Sequence, residues 1–166
     1  MNIRALELLI RWLLALFFGW SAWQKLVDLS AFTESVGNFQ FEWEVSWGGE
    51  LRNFFDPPTD VVIAYLVPWF ELVAAVALLV PFSRDAASAV LADMLIVFNL
   101  ALAYAWHRGI TDLACGCHGA SDTPTNFPVK IALNFGLMAL IGVAFLLRRQ
   151  HQWLVRKIGG PRIPEP

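Results

Sequence analysis

The chain has 166 residues, of which 57% are hydrophobic and only 16% charged, with a net charge of −2. Its mean hydropathy is +0.54. A soluble domain carries about 25% charged residues, so this balance excludes an ordinary soluble domain, and nothing in it asks for a nucleic-acid partner.

The apolar residues gather into four runs, Ala5–Lys25, Val61–Phe82, Ala86–Trp106 and Phe127–Leu147. A helix needs about 20 apolar residues to cross a bilayer. No backbone polar group there can rely on water, so each run is expected to be helical; none alternates as a barrel strand would. The first run is long, contains Arg11 and lacks a convincing cleavage site at Ser21-Ala22-Trp23, so it reads as a retained helix and not a removable signal. The expected fold is an all-α membrane protein, a four-helix transmembrane bundle. Residues 1–150 form its membrane domain and 151–166 a basic cytoplasmic tail.

Charge sets the expected orientation. Arg4 precedes the first run, Arg84 lies between the second and third, and Arg148, Arg149, Arg156, Lys157 and Arg162 follow the fourth. These segments belong on the cytoplasmic side, with both termini inside. The first outer loop carries seven acids (Asp28, Glu34, Glu42, Glu44, Glu50, Asp56 and Asp60) against Arg52. In a bacterium the chain is then a multi-pass inner-membrane protein surrounded by lipid, with this loop on the periplasmic face.

In chain order, the first helix carries Arg11 about 9 Å from its inner edge. Asp93 on the third helix lies at a matching depth, and a structural ion pair between them is the first expectation. Lys25 ends the first helix at the outer interface. It either snorkels to the headgroups or stabilises a thiolate beyond the membrane. The loop stretch 39–47 alternates aromatic or Val with polar residues, Phe39-Gln-Phe-Glu-Trp-Glu-Val-Ser-Trp47. That period of two predicts a partly extended segment, either packed at the interface or lying over the outer face as a lid. The second helix carries Glu71 near its middle, a charge that is costly there unless paired. It reads as a hydrogen-bond donor, a partner of Arg11, or a proton-handling group. Trp12, Trp20, Trp23, Trp69 and Trp106 fit an interfacial aromatic belt, with stacking on a flat cofactor as the sharper alternative. Asn99 and Asn134 are expected to hydrogen-bond between helices.

The two cysteines, Cys115 and Cys117, flank Gly116 in the polar loop between the third and fourth runs. A disulfide over one intervening residue requires a turn, which glycine permits. It would be strained and labile, suiting exchange more than architecture. His118 adjoins the pair, and His107, Arg108 and Asp112 lie just before it. Metal binding by His107, Cys115, Cys117 and His118 is the lesser reading, because zinc sites mostly use wider cysteine spacing. Haem attachment needs C-x-x-C-H, one residue more than Cys115-Gly116-Cys117-His118 provides.

Several of these motifs occur in a familiar order. Ser21-Ala-Trp-Gln-Lys25-Leu26 closes the first helix, Pro68-Trp69-Phe70-Glu71-Leu72 lies in the second, Phe98 in the third, and His107-Arg108-Gly109 and Cys115-Gly116-Cys117-x-Gly119 follow. In these the chain resembles the MauE/DoxX family of four-helix membrane proteins, over roughly residues 5 to 148. The resemblance implies a redox-associated membrane protein. Its partner would be a periplasmic thioredoxin-like protein or a disulfide-containing enzyme, and its cofactor a membrane quinone. The chain departs from the pattern in His118, which stands where the family commonly has Phe, in Asp112, which is displaced from the cysteines, and in a longer stretch at 39–55.

The expected activity is thiol–disulfide exchange by Cys115 and Cys117, with Lys25, Arg108 or His118 favouring the thiolate and His118 able to move the proton. Glu71, Trp69 and Asn99 are the candidates for holding a quinone. A chain with one cysteine pair has no internal relay, so either the pair meets the quinone directly or a partner supplies the second pair. The alternative is a non-catalytic subunit that binds a metal or cofactor, or that holds a periplasmic enzyme during assembly.

Overall fold

The structure, a computed structural model, describes residues 3–37, 59–110 and 126–158. It contains five helices: α1 (Ile3–Val27), α2 (Leu29–Gly37), α3 (Thr59–Leu79), α4 (Arg84–His107) and α5 (Phe127–Ile158). There is no strand among the described residues. The stretch 39–47, expected to be extended, lies outside them.

Four helices, all but α2, are long and apolar enough to cross a membrane. Many large apolar side chains face outward, Leu16, Val73 and Leu100 each by more than 60%. A water-soluble monomer does not present so continuous an apolar coat; here lipid covers it. Consecutive spanning helices alternate in direction. α1 packs on α3 and α5, α3 on α4, and α4 on α5, so the four form a ring with α1 diagonal to α4.

The buried polar residues of α1 lie on one face. Glu7, Arg11, Leu14, Phe18, Ser21 and Lys25 recur at alternating intervals of four and three and are all buried. Residues at such intervals stack along one side of a helix. Lipid would penalise these groups, so this stripe turns into the bundle. Arg11, 1% exposed, donates from Nε to Glu7 Oε1 at 2.8 Å and from Nη1 to Ser88 Oγ at 3.3 Å. The expected Arg11–Asp93 pair therefore does not form. A matching depth fixes only the level of two groups, whereas Glu7 sits one turn below Arg11 on the same face. The same contacts remove Arg11 as a partner for Glu71.

Packing is closed in the inner half and divided in the outer half. One buried cluster joins Leu14 and Phe18 of α1, Leu78 of α3, Leu91 of α4 and Ile141 of α5. Toward the outer end it is replaced by two separate clusters. Leu102 and Ala105 of α4 pack with Phe127 of α5, and Phe32 and Val36 of α2 pack with Ala64 of α3. The α4/α5 hairpin thus parts from the other helices in the outer half.

Two elements differ from expectation. The first outer loop begins with α2, capped by Asp28, whose Oδ1 accepts from Ala31 N at 3.1 Å and Ser30 Oγ at 3.0 Å. α5 continues past residue 150 to Ile158, with Arg149 lying over Phe145 and Lys157 over Trp153. Beneath the bilayer, Arg148 Nη1 holds Asp85 Oδ1 at 2.6 Å and ties the inner ends of α5 and α4 together.

Candidate functional site in the outer half of the bundle

Where the two halves part they leave a cleft of about 1690 Å³. Its walls are almost wholly apolar. Its polar lining comes from Ser21 and Lys25 of α1, Glu71 of α3, Asp93 and Tyr104 of α4, and Lys130 and Asn134 of α5. It runs from Tyr104 and Lys130 near the outer helix ends down to Val90 and Asp93. From Val90 to Tyr104 this is about 21 Å along α4.

Lys25 and Glu71 form the central feature of the wall. Lys25 Nζ lies 2.5 Å from Glu71 Oε2, and the residues are 7% and 5% exposed. The ammonium also stands 5.6 Å from the centre of the Phe32 ring, which links α2 to the pair. Lys25 therefore does not snorkel. It turns inward because its position on the α1 stripe points it at α3, where a carboxylate compensates its charge. Glu71 belongs to the buried row Ala64, Pro68, Glu71, Ala75 and Leu78, again at intervals of four and three.

The other expected quinone contacts separate. Trp69 is 55% exposed, because two residues from Glu71 on a helix is the opposite flank, and it does not line the cleft. Trp12, Trp20, Trp23 and Trp106 likewise face outward, as an aromatic belt does. Asn134 Nδ2 donates to Asn99 Oδ1 at 2.8 Å, the interhelical bond expected of them. Asn134 lines the cleft and Asn99 stands behind it. The carboxyl of Asp93, unlike that of Glu71, has no hydrogen-bond or ion-pair partner among the described residues.

The cysteine loop is fastened at both ends. α4 stops in a Schellman motif: Ile110 N donates to Ala105 O at 3.1 Å and Gly109 N to Trp106 O at 3.0 Å, with Gly109 at φ 73°. α5 is preceded by Asn126, whose Oδ1 accepts from Val129 N at 3.3 Å. The connecting segment, with Cys115, Cys117 and His118, lies outside the described residues, so it joins the site by connectivity alone. His107 is the exposed last residue of α4. Arg108 Nη1 donates to Tyr104 Oη at 3.0 Å. Among the described residues no three His, Cys, Asp or Glu side chains group as a metal site.

Sequence reading did not single out Lys130 or Tyr104 as lining residues. The signal for Lys130 was available, an ionisable group one turn inside an apolar run.

Four helices able to span a membrane, packed in a ring with a buried ion pair in the wall of a cleft, define a multi-pass membrane protein. The profile of the family described as "Methylamine utilisation protein MauE" matches residues 3–147, and the chain belongs to the MauE family. The protein named "Methylamine utilization protein MauE" in Methylophilus methylotrophus is 46% identical over 54 residues, 32% of this chain and 28% of that protein. The protein of the same name in Methylorubrum extorquens is 31% identical over 102 residues, 60% of this chain and 55% of that protein. The matched stretches thus span little more than half, or less, of these relatives. No solved structure matches the chain.

Proposed function

We propose that this protein is a thiol–disulfide redox protein of the bacterial inner membrane, which couples Cys115 and Cys117 on the periplasmic face to a quinone held in the cleft. The observation that carries the reading is the Lys25–Glu71 pair, set in the wall of an apolar cleft that reaches the outer helix ends. The loop bearing the cysteines is anchored at that same end, between Ile110 and Asn126.

The cleft suits a lipid-dissolved molecule with a polar head, as pockets for such ligands combine apolar walls with a few placed polar groups. Oxidation of the two thiols to a disulfide releases two electrons and two protons, and a bound quinone takes both and leaves as quinol. Lys25 offers hydrogen-bond donors to a carbonyl oxygen in the cleft, and Glu71 holds the ammonium in position. His118 serves the thiols as a proton acceptor. The protein partner on the outer face is a thioredoxin-like protein or a disulfide-containing enzyme. The search for that partner begins in methylamine utilisation, after which the two relatives are named.

The test is mass-tag alkylation of the purified chain in graded redox buffers, with and without a short-tailed quinone. The expected result is a two-electron dithiol–disulfide transition that the quinone drives to the disulfide. Cys115→Ser and Cys117→Ser should each abolish exchange with a thioredoxin-like partner. Either variant exchanging like the wild type overturns the reading.

A further inference from the structure

Resting on that reading, we propose that Asp93 is the proton donor of the cleft, the group that hands a proton to the quinone oxygen as the quinone is reduced.

Three observations converge on this residue. Asp93 lines the cleft and is exposed into it, while its neighbours at matching positions on α4, Val90 and Val97, are apolar. A lone carboxyl two turns inside a membrane helix is expensive, and neither lipid contact nor packing calls for it. Second, the buried charges are matched: Arg11 with Glu7 and Lys25 with Glu71. Asp93, exposed to the cleft, has no such partner among the described residues.

The third observation is level. α3 ends at Leu79 and α4 begins at Arg84, so a four-residue turn joins the two helices. Glu71 lies eight residues before that end of α3, and Asp93 nine residues after the start of α4. At ~1.5 Å per residue both stand about 12–14 Å above the turn. Neighbouring helices thus bring the Lys25–Glu71 pair and Asp93 to one depth of one cleft. A quinone carries oxygens on opposite edges of its ring. In the proposal Lys25 donates a hydrogen bond to one, and Asp93, as the acid, a proton to the other.

The balance is as follows. Two thiols give up two electrons and two protons to form the S–S bond. The quinone gains both electrons and leaves as quinol: one oxygen takes the proton of Asp93 and the other takes one of the two protons released by the thiols. The second thiol proton restores Asp93. The core cluster of Leu14, Leu78 and Leu91 closes the inner half of the bundle, so that proton returns through the cleft from the outer side.

The experiment uses the full chain in lipid nanodiscs with a short-tailed ubiquinone analogue. It measures Kd by tryptophan quenching and the rate of disulfide formation. Asp93→Asn keeps a hydrogen-bond donor and should bind within about twofold of wild type, but form the disulfide at least about 100-fold more slowly. Asp93→Glu, which keeps the acid, should recover most of that rate. Asp93→Leu should in addition bind about tenfold more weakly. Wild-type rates in Asp93→Asn and Asp93→Leu, or an Asp93→Glu as slow as Asp93→Asn, overturn the proposal and leave the thiol–quinone reading standing. A wild-type chain that neither binds the analogue nor is oxidised by it overturns both.

Discussion

Lys25 and Glu71 are each costly in an apolar interior and acceptable only as a pair. Removing one member of a buried ion pair costs about 3–5 kcal/mol because the other charge is stranded, whereas replacing both with apolar groups is often near neutral. Lys25→Met should therefore destabilise the bundle by roughly 3 kcal/mol, and Lys25→Met/Glu71→Leu by much less than the sum of the single losses. Unfolding in mixed micelles, arranged as a double-mutant cycle, checks this; additive losses would mean that the charges do not interact. The Asn99–Asn134 bond should matter less, with Asn134→Leu costing about 0.6–2 kcal/mol in the same assay. At this scale the sequence discloses that ionisable groups stand inside the spans, but not which way each turns or whom it meets; Lys25 reads as snorkelling or serving a thiolate and instead turns to Glu71. The spacing of Glu7, Arg11, Ser21 and Lys25 already places them on one helix face. Partner choice depends on how neighbouring helices are rotated about their axes, which depth counting does not contain. Hence Arg11 meets Glu7 and Ser88, and Asp93 is left facing the cleft.

Among the elements, the end of α4 decides where the cysteine loop departs. Gly109 takes φ 73°, a conformation costing other residues about 1–2 kcal/mol, and its motif brings Ile110 back against the Leu102–Ala105 cluster. Gly109→Ala should lower stability by about 1 kcal/mol while leaving the span itself helical. Circular dichroism paired with hydrogen exchange at the α4 terminus reads both effects; unchanged protection at Ala105 and Trp106 would argue against the cap. The spans were legible because lipid leaves a long apolar run only one way to satisfy its backbone. α2 was harder to see, since nine residues make a short helix. Its signature was nevertheless present: an Asp28 cap followed by Leu29, Phe32 and Val36 on one face. The inner limit of α5 was underestimated because hydropathy marks where lipid ends, not where a helix ends.

For the whole molecule, charge and packing point the same way along the membrane normal. The end where Arg4, Arg84, Arg148 and Arg149 gather is also the end where all four spans share one buried cluster. The opposite end carries the acidic loop, the divided packing and the chain ends that hold the cysteine loop. Basic residues retain their flanking segments on the cytoplasmic side, so in the orientation proposed here the cleft opens toward the periplasmic face, where thiols would meet an oxidising compartment. This arrangement makes a direct prediction for intact cells. A membrane-impermeant maleimide applied from outside to cells whose outer membrane has been permeabilised should label Cys115 and Cys117 after reduction. A single cysteine introduced at Gln152, in a chain whose own cysteines are serine, should react only once the inner membrane is opened. The reverse pattern would place the cysteines in the reducing cytoplasm. There a labile disulfide would not persist, and the ion pair and Asp93 would need an explanation other than chemistry with a periplasmic partner.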